Sequence, residues 1–197
     1  EILDINKLSW DINKIEIYSE NLDNERILNF QNNGQKLFSV IKNYELIYHL
    51  TKKLKKEKLC KFKKNLINKD ILTHNYDLII NCEFSNFITK KFFTKKLVKN
   101  YNSYAYTTII KHSKTSNKKA IQIFTSRGPL AFLPISKSET SVVYSVNGNQ
   151  KIDFKNLIRF YNKFYNILHI KNFSQFELQM SNLRNYYHGN ILAFGDL

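Results

Sequence analysis

Residue types and spacing point to a ligand most directly where the run Asn190-Ile191-Leu192-Ala193-Phe194 meets Gly195-Asp196. The run reads as a short buried strand, and glycine at its carboxyl end lets backbone approach a ligand with no Cβ in the way. The aspartate can accept hydrogen bonds from sugar-type hydroxyls, or it can cap a following helix, which on the residues alone is the plainer reading. A second candidate is Ser126-Arg127-Gly128-Pro129, a turn signal whose arginine could meet an anion or phenolate or simply be solvated. His49, His74, His112, His169 and His188 are scattered, with no HxxxH, HxH or Cys/His cluster, so no metal is expected. Cys60 and Cys82 lack a CxxC partner, consistent with a reducing compartment, and are expected to be small buried fillers. Neither a GxSxG elbow nor a GKS/T phosphate loop is present, which removes the common hydrolase and NTPase readings. No acid/base pair stands out.

Charge is the loudest compositional feature: 31 Lys and Arg against 16 Asp and Glu give +15. The densest stretch runs from Lys52 through Lys53, Lys55, Lys56, Lys58, Lys61 and Lys63 to Lys64. A solvated helix end explains it most simply, since lysines favour the negative pole of the helix dipole. No zinc-finger spacing or RNP-like aromatic motif accompanies it, so nucleic acid is not expected as the partner. A basic, non-enzymatic module on RNA or an anionic membrane surface remains the alternative class of function.

With 43% hydrophobic residues the 197-residue chain has ample material for a core, which excludes disorder. Five glycines and two prolines exclude collagen-like and Pro/Gly low-complexity chains. No apolar run approaches a membrane span, and Glu1-Ile2-Leu3-Asp4 is not a signal peptide. The chain opens on Glu1, has Met180 as its only methionine and stops just past Gly195-Asp196, so it is expected to be a piece of a longer protein.

The elements that must position these residues follow from periodicity. Residues 10–18 and 26–30 read as strands, with turn chemistry at Asn21-Leu22-Asp23-Asn24 between them. Tyr44, Leu46, Ile47, Tyr48, Leu50 and Leu54 recur at helical spacing, predicting a helix over about 43–58, with a short strand at 59–62. Residues 76–82 form an apolar run typical of a buried parallel strand. Four strand-like runs at 104–111, 120–125, 130–135 and 141–146, divided by turn residues, predict an antiparallel meander. Asp153 is a candidate N-cap for a helix over about 153–168, and 173–180 reads as a further strand. Two kinds of sheet alternate along one chain, so the expected fold class is mixed α/β (α+β) with two interleaved domains.

Three segments carry a resemblance. Phe124-Thr125-Ser126-Arg127-Gly128-Pro129-Leu130-Ala131-Phe132-Leu133-Pro134 is similar to the F-T-x-x-G-P-L-A-x-L-P segment of class A flavin hydroxylases of ubiquinone biosynthesis. These are the UbiH-like relatives of para-hydroxybenzoate hydroxylase. Val40-Ile41-Lys42-Asn43-Tyr44-Glu45-Leu46 resembles the family's V-V-x-N-x-x-L, and the segment Tyr187 to Asp196 resembles its x-x-G-R-V-x-L-x-G-D. The order and separations also match the family's, over nearly the whole chain.

The resemblance implies a partial three-layer FAD/NAD(P)-binding domain interleaved with an antiparallel-sheet substrate domain. Residues 1–32 and 101–182 would belong to the substrate domain, and 33–100 and 183–197 to the FAD domain. The implied cofactor is FAD, with NAD(P)H as reductant, O2 as co-substrate and no metal. Gly195 and Asp196 would contact FAD, and Glu83, in Asn81-Cys82-Glu83-Phe84, would align with the family's G-A-D-G acid near the pyrophosphate. Leu130, Phe132 and Pro134 would face the substrate cavity. The implied reaction is hydroxylation of an aromatic ring on a polyprenylated phenol. The implied setting is cytoplasmic, with peripheral contact at the inner face of the membrane and other ubiquinone-biosynthesis proteins as partners. Phe84 stands where the family has glycine, which keeps a degenerate, inactive homologue as a further alternative.

Overall fold

The computed structural model describes residues 7–22, 25–63, 76–148 and 152–195. They form a mixed α/β architecture, mostly sheet, and cluster into two units. One falls within Glu1–Lys58 and Asn102–Leu178, the other within Leu59–Tyr101 and Gln179–Leu197.

In the first unit the meander forms as expected. Strands β6 (Lys96–His112), β7 (Lys119–Thr125), β8 (Gly128–Pro134) and β9 (Glu139–Asn147) are joined by antiparallel pairing in the order β6-β9-β8-β7. Strand β2 (Lys14–Ser19) adds parallel to β7, β3 (Glu25–Gln31) follows it as an antiparallel edge, and β10 (Ile167–Ile170) and β11 (Ser174–Leu183), the strand expected at 173–180, both pair β6. A separate antiparallel pair joins β1 (Ser9–Ile12) to β4 (Phe38–Ile41). Along β8 and β9 every second side chain is buried, the period-2 pattern of a sheet with one covered face. Leu130 stands opposite Tyr144 and Phe132 opposite Val142. These side chains pack with Tyr106 and Ile110 of β6 against Phe154 and Ile158 of the helix α3 (Phe154–Tyr161).

Gly128 opens β8 at φ +144°, and a Cβ built there would lie 2.1 Å from the backbone oxygen of Ser145. Only glycine fits that crossing of strands.

Several element bounds differ from the sequence expectation, each for a local reason. Asp153 does cap α3, its carboxylate accepting from the Asn156 N–H at 3.1 Å. The helix stops at Tyr161 rather than 168 because the Asn162 side chain accepts from the N–H groups of Phe164 and Tyr165, making a turn. Phe164 and Tyr165 still reach the core, while Leu168 lies in β10 and is exposed. Helix α1 (Asn43–Leu54) ends four residues early, where Lys56 N–H turns to Lys53 O and Glu57 N–H to Leu54 O in three-residue steps. Residues 59–62 form no strand, and Leu59 is fully exposed. Residues 76–82 contribute only β5 (Ile79–Asn81), matching the three-residue length of its partner strand. Cys82, one step past that strand, is exposed, and Cys60 is half-buried, so neither fills a core. Asp23, Asn24, Lys64, His74 and Asp196 lie outside the described residues.

Two polar clusters that periodicity does not reveal tie this unit together. The first is built around Asn117, in the β6–β7 loop. Its amide nitrogen donates to Ser136 O at 2.6 Å and Thr140 Oγ1 at 3.0 Å. Its Oδ1 accepts from Tyr165 Oη at 2.9 Å, and its carbonyl accepts from Trp10 Nε1 at 2.6 Å. Buried His112 directs Nδ1 at Ser113 O, 2.9 Å away; a carbonyl can only accept, so Nδ1 donates, while Nε2 lies 3.0 Å from Thr140 Oγ1.

The second centres on Glu16, 3% exposed. It meets Lys119 at 2.7 Å, Lys14 at 2.8 Å and Arg26 at 3.2 Å, and accepts from Tyr18 Oη at 2.8 Å. Burial pushes its carboxyl up, but bonds from Lys119, Lys14 and Tyr18 outweigh this and hold it down at about 2, against an ordinary 4.5. A depressed folded-state value stabilises the protein above the unfolded value. That stability is lost as pH falls from about 4.5 through 2. Screening by the half-exposed cations limits its size to about 1–3 kcal/mol. Urea unfolding of wild type and Glu16→Gln should therefore differ most near neutrality and converge toward pH 2; a gap independent of pH would contradict this assignment.

Candidate functional site

The second unit holds a small sheet in the order β12 (Tyr187–His188), β13 (Ile191–Ala193), β5. Strands β13 and β5 are parallel, Ile191 opposite Ile79 and Ala193 opposite Asn81. Ile191 and Ala193 bury against Leu183, Phe93 and Ile88, the last from the short helix α2 (Phe87–Phe92). Apolar residues in the run 190–194 thus anchor the strand whose end presents Gly195.

The carboxyl ends of this parallel pair are tied together by the bond from Phe194 N–H to Asn81 O at 2.9 Å. Gly195 and Glu83 each lie two positions past the last paired residues. Gly195 adopts φ +89°, and the space its Cβ would fill is open to 4 Å. The loop after β5 is held from below. Buried Asn81 donates to Thr89 Oγ1 at 2.7 Å and accepts from Asn86 Nδ2 at 2.5 Å, while Thr89 Oγ1 donates to Glu83 O at 2.6 Å. The Glu83 side chain is exposed and uses Oε1 for the Ser85 hydroxyl at 2.7 Å, leaving Oε2 without a hydrogen bond among the described residues. Phe84 does not need a glycine backbone. Among the described non-glycine residues only Asn33 and Asn102 have positive φ. Its exposed ring instead sits 4.2 Å from the Lys96 ammonium, a cation–π contact.

A crevice outside the carboxyl ends of parallel strands is where open α/β sheets bind ligands. Here the strand ends offer Gly195, with open space where its Cβ would be, and the exposed carboxylate of Glu83. Those features suit a ligand that carries hydroxyl groups.

Leu130 and Phe132 are fully buried and Pro134 is buried, all on the α3 side of the large sheet. The other face of β8 and β9 carries the half-buried Ala131, Leu133, Ser141 and Val143. Arg127 is exposed and lines a cavity considered below, to which Leu130, Phe132 and Pro134 contribute nothing. The Asn81–Asn86–Thr89 scaffold escaped sequence reasoning; Asn86-Phe87-Ile88-Thr89, with an N-cap residue before an apolar pair, is the signal that could have found it. Among the described residues no three His, Cys, Asp or Glu side chains gather as a metal site, and no helix is long and apolar enough to cross a membrane.

No protein-family model matches the sequence, and no curated protein matches it. Solved structures do. p-Nitrophenol 4-monooxygenase PnpA from Pseudomonas putida DLL-E4 aligns with 98% of this chain and 57% of its own at a TM-score of 0.69 and 8% identity. 2-Methyl-3-hydroxypyridine-5-carboxylic acid oxygenase aligns with 98% and 59% at 0.66 and 10% identity. The flavin-dependent brominase Bmp2 aligns with 98% and 56% at 0.62 and 8% identity. The chain thus has the fold of flavin-dependent monooxygenases and halogenases, and spans less than two thirds of each of these proteins.

Proposed function

We propose that the chain is part of an FAD-dependent aromatic-ring hydroxylase that uses NAD(P)H and O2 on a polyprenylated phenol, a step of ubiquinone biosynthesis. The observation that carries this is the shared fold over 98% of the chain with two oxygenases and a flavin-dependent brominase. Bound FAD supplies the oxygen-transfer chemistry, which lies beyond ordinary side chains. The chain's own residues bind and orient. Gly195 admits close backbone approach by the cofactor's polyol, with Asp196 and Glu83 as hydroxyl acceptors. The half-buried face bears the apolar side chains Ala131, Leu133 and Val143, which suit contact with a ring and prenyl tail. A phenol is a fitting acceptor because its oxygen feeds electron density into the ring carbon attacked.

A second reading has one observation in its favour. The exposed Tyr44, Ile47, Tyr48 and Leu54 of α1 stand with Lys52, Lys53, Lys55, Lys56 and Lys58 at its carboxyl end and just beyond, chemistry that suits an anionic membrane surface. Association of that kind weakens steeply with salt.

Turnover separates the two readings. The whole gene product should oxidise NAD(P)H faster when given a short-chain prenylphenol and should place one oxygen atom from 18O2 in the product. Salt-sensitive vesicle binding without any phenol-stimulated oxidation would favour the second reading.

A further inference from the structure

On the α3 side of the large sheet lies a cavity of about 370 Å³ with an unusual distribution of hydrogens. Its floor is Tyr144, 1% exposed, and its walls include Glu20, Thr125, Arg127, Phe160 and Tyr161. Thr125 spends its single hydroxyl hydrogen on Gly128 O at 2.7 Å, so the 3.2 Å contact with Tyr144 Oη must have Tyr144 as donor. Tyr161 Oη donates to Glu20 Oε1 at 2.5 Å, and Ser126 N–H donates to Glu20 Oε2 at 2.6 Å. Both phenol hydrogens are therefore committed to protein. Toward the cavity Tyr144, Tyr161 and Glu20 present lone pairs only.

The protonation states agree with this bookkeeping. Its bonds from Tyr161 and Ser126 keep the Glu20 carboxyl below its usual range, while burial and Glu20 push the Tyr161 phenol well above its own. At neutral pH the floor is an acceptor set carrying one negative charge. On the rim, Arg127 is exposed and makes no ion pair with the described residues, and Phe160 is 75% exposed beside Leu157.

We propose that this cavity binds a free apolar α-amino acid, its ammonium on the acceptors Glu20, Tyr144 and Tyr161, its carboxylate on Arg127 and its side chain along Phe160 and Leu157. An acceptor-only floor wants a donor with several hydrogens, which an ammonium supplies and a carboxylate does not. A guanidinium that forms no ion pair with the described residues wants a carboxylate. A zwitterion answers both, and the cavity is large enough for one ring.

The test is a titration of the 15N-labelled whole gene product with L-phenylalanine, 3-phenylpropionate and phenethylamine, read by amide chemical shifts. Saturable shifts centred on Ser126, Arg127 and Asn156 are expected for L-phenylalanine, with each analogue at least about tenfold weaker because it lacks one charge. Arg127→Gln, at an exposed position, should weaken L-phenylalanine about tenfold and leave 3-phenylpropionate no better than phenethylamine. Tyr144→Phe, which keeps the packed ring, should weaken L-phenylalanine and phenethylamine alike, with circular dichroism confirming the fold. No saturable shifts, equal binding of the three probes, or unchanged affinity in Arg127→Gln would overturn the proposal. Because flavin plays no part in this titration, its result is separate from that of the hydroxylase assignment.

Discussion

Gly128→Ala is expected to destabilise the protein by about 2–5 kcal/mol, combining overpacking with backbone strain. The new methyl carbon would lie 2.1 Å from the Ser145 oxygen and 3.1 Å from its carbon, both backbone atoms of a paired strand. Neither can swing aside as a side chain would. Relief requires β8 to draw away from β9, disturbing the register that sets Leu130 opposite Tyr144. For a chain of this length the loss corresponds to a fall of about 5–15 °C in the unfolding midpoint. Gly34→Ala is the control. That glycine also has positive φ, at +75°, but its Cβ would meet nothing within 4 Å, so only the backbone preference, about 1 kcal/mol, is at stake. Equal midpoints for the two variants in thermal unfolding would show that the β8–β9 crossing is not as tight as the structure has it.

Phe132→Ala is expected to cost about 3–5 kcal/mol, the range for deleting a buried aromatic ring. Phe132 is 0% exposed, and its ring lies 6.3 Å from Phe164 and 6.1 Å from Tyr165, centroid to centroid. Leu133→Ala, one residue along on the half-buried face, should cost well under half as much. Urea unfolding of the two variants decides which face of β8 carries the core. If Phe132→Ala kept its stability and altered only turnover of a phenol, the ring would belong to a substrate pocket and not to the core.

This pair of residues shows how far the sequence could be read. Strong alternation in 130–134 and 141–146 made the strands, and the turn residues between them made the meander, plain from the chain alone. Alternation also says that residues on one strand divide between two faces, but not which face meets a ligand and which meets a helix. That depends on where α3 docks, a tertiary fact, and a shift of one residue exchanges the faces. The helix after Asp153 was legible at its start, where capping chemistry is local, and misjudged at its end, because apolar spacing continued through Phe164, Tyr165 and Leu168 while Asn162 turned the backbone. The Gly195 end was legible for the opposite reason: an apolar run closed by glycine needs no distant partner to be recognised. Glu16 and Asn117 were invisible because their partners, Lys119 and Tyr165 among them, are far away in the chain.

The most direct test of the hydroxylase account is the visible absorbance of the whole gene product, purified and titrated with FAD, beside its Gly195→Val variant. About one flavin per chain should bind to the wild type. The variant, whose side chain would project into the open space at the carboxyl end of β13, should bind at least tenfold more weakly, about 1.4 kcal/mol. Because no described atom opposes that side chain, the free energy of unfolding without flavin should fall only by the backbone cost of valine at positive φ, about 1–2 kcal/mol. A wild-type protein that stays colourless with FAD in excess, or a Gly195→Val variant that binds flavin as tightly as wild type, would contradict the account.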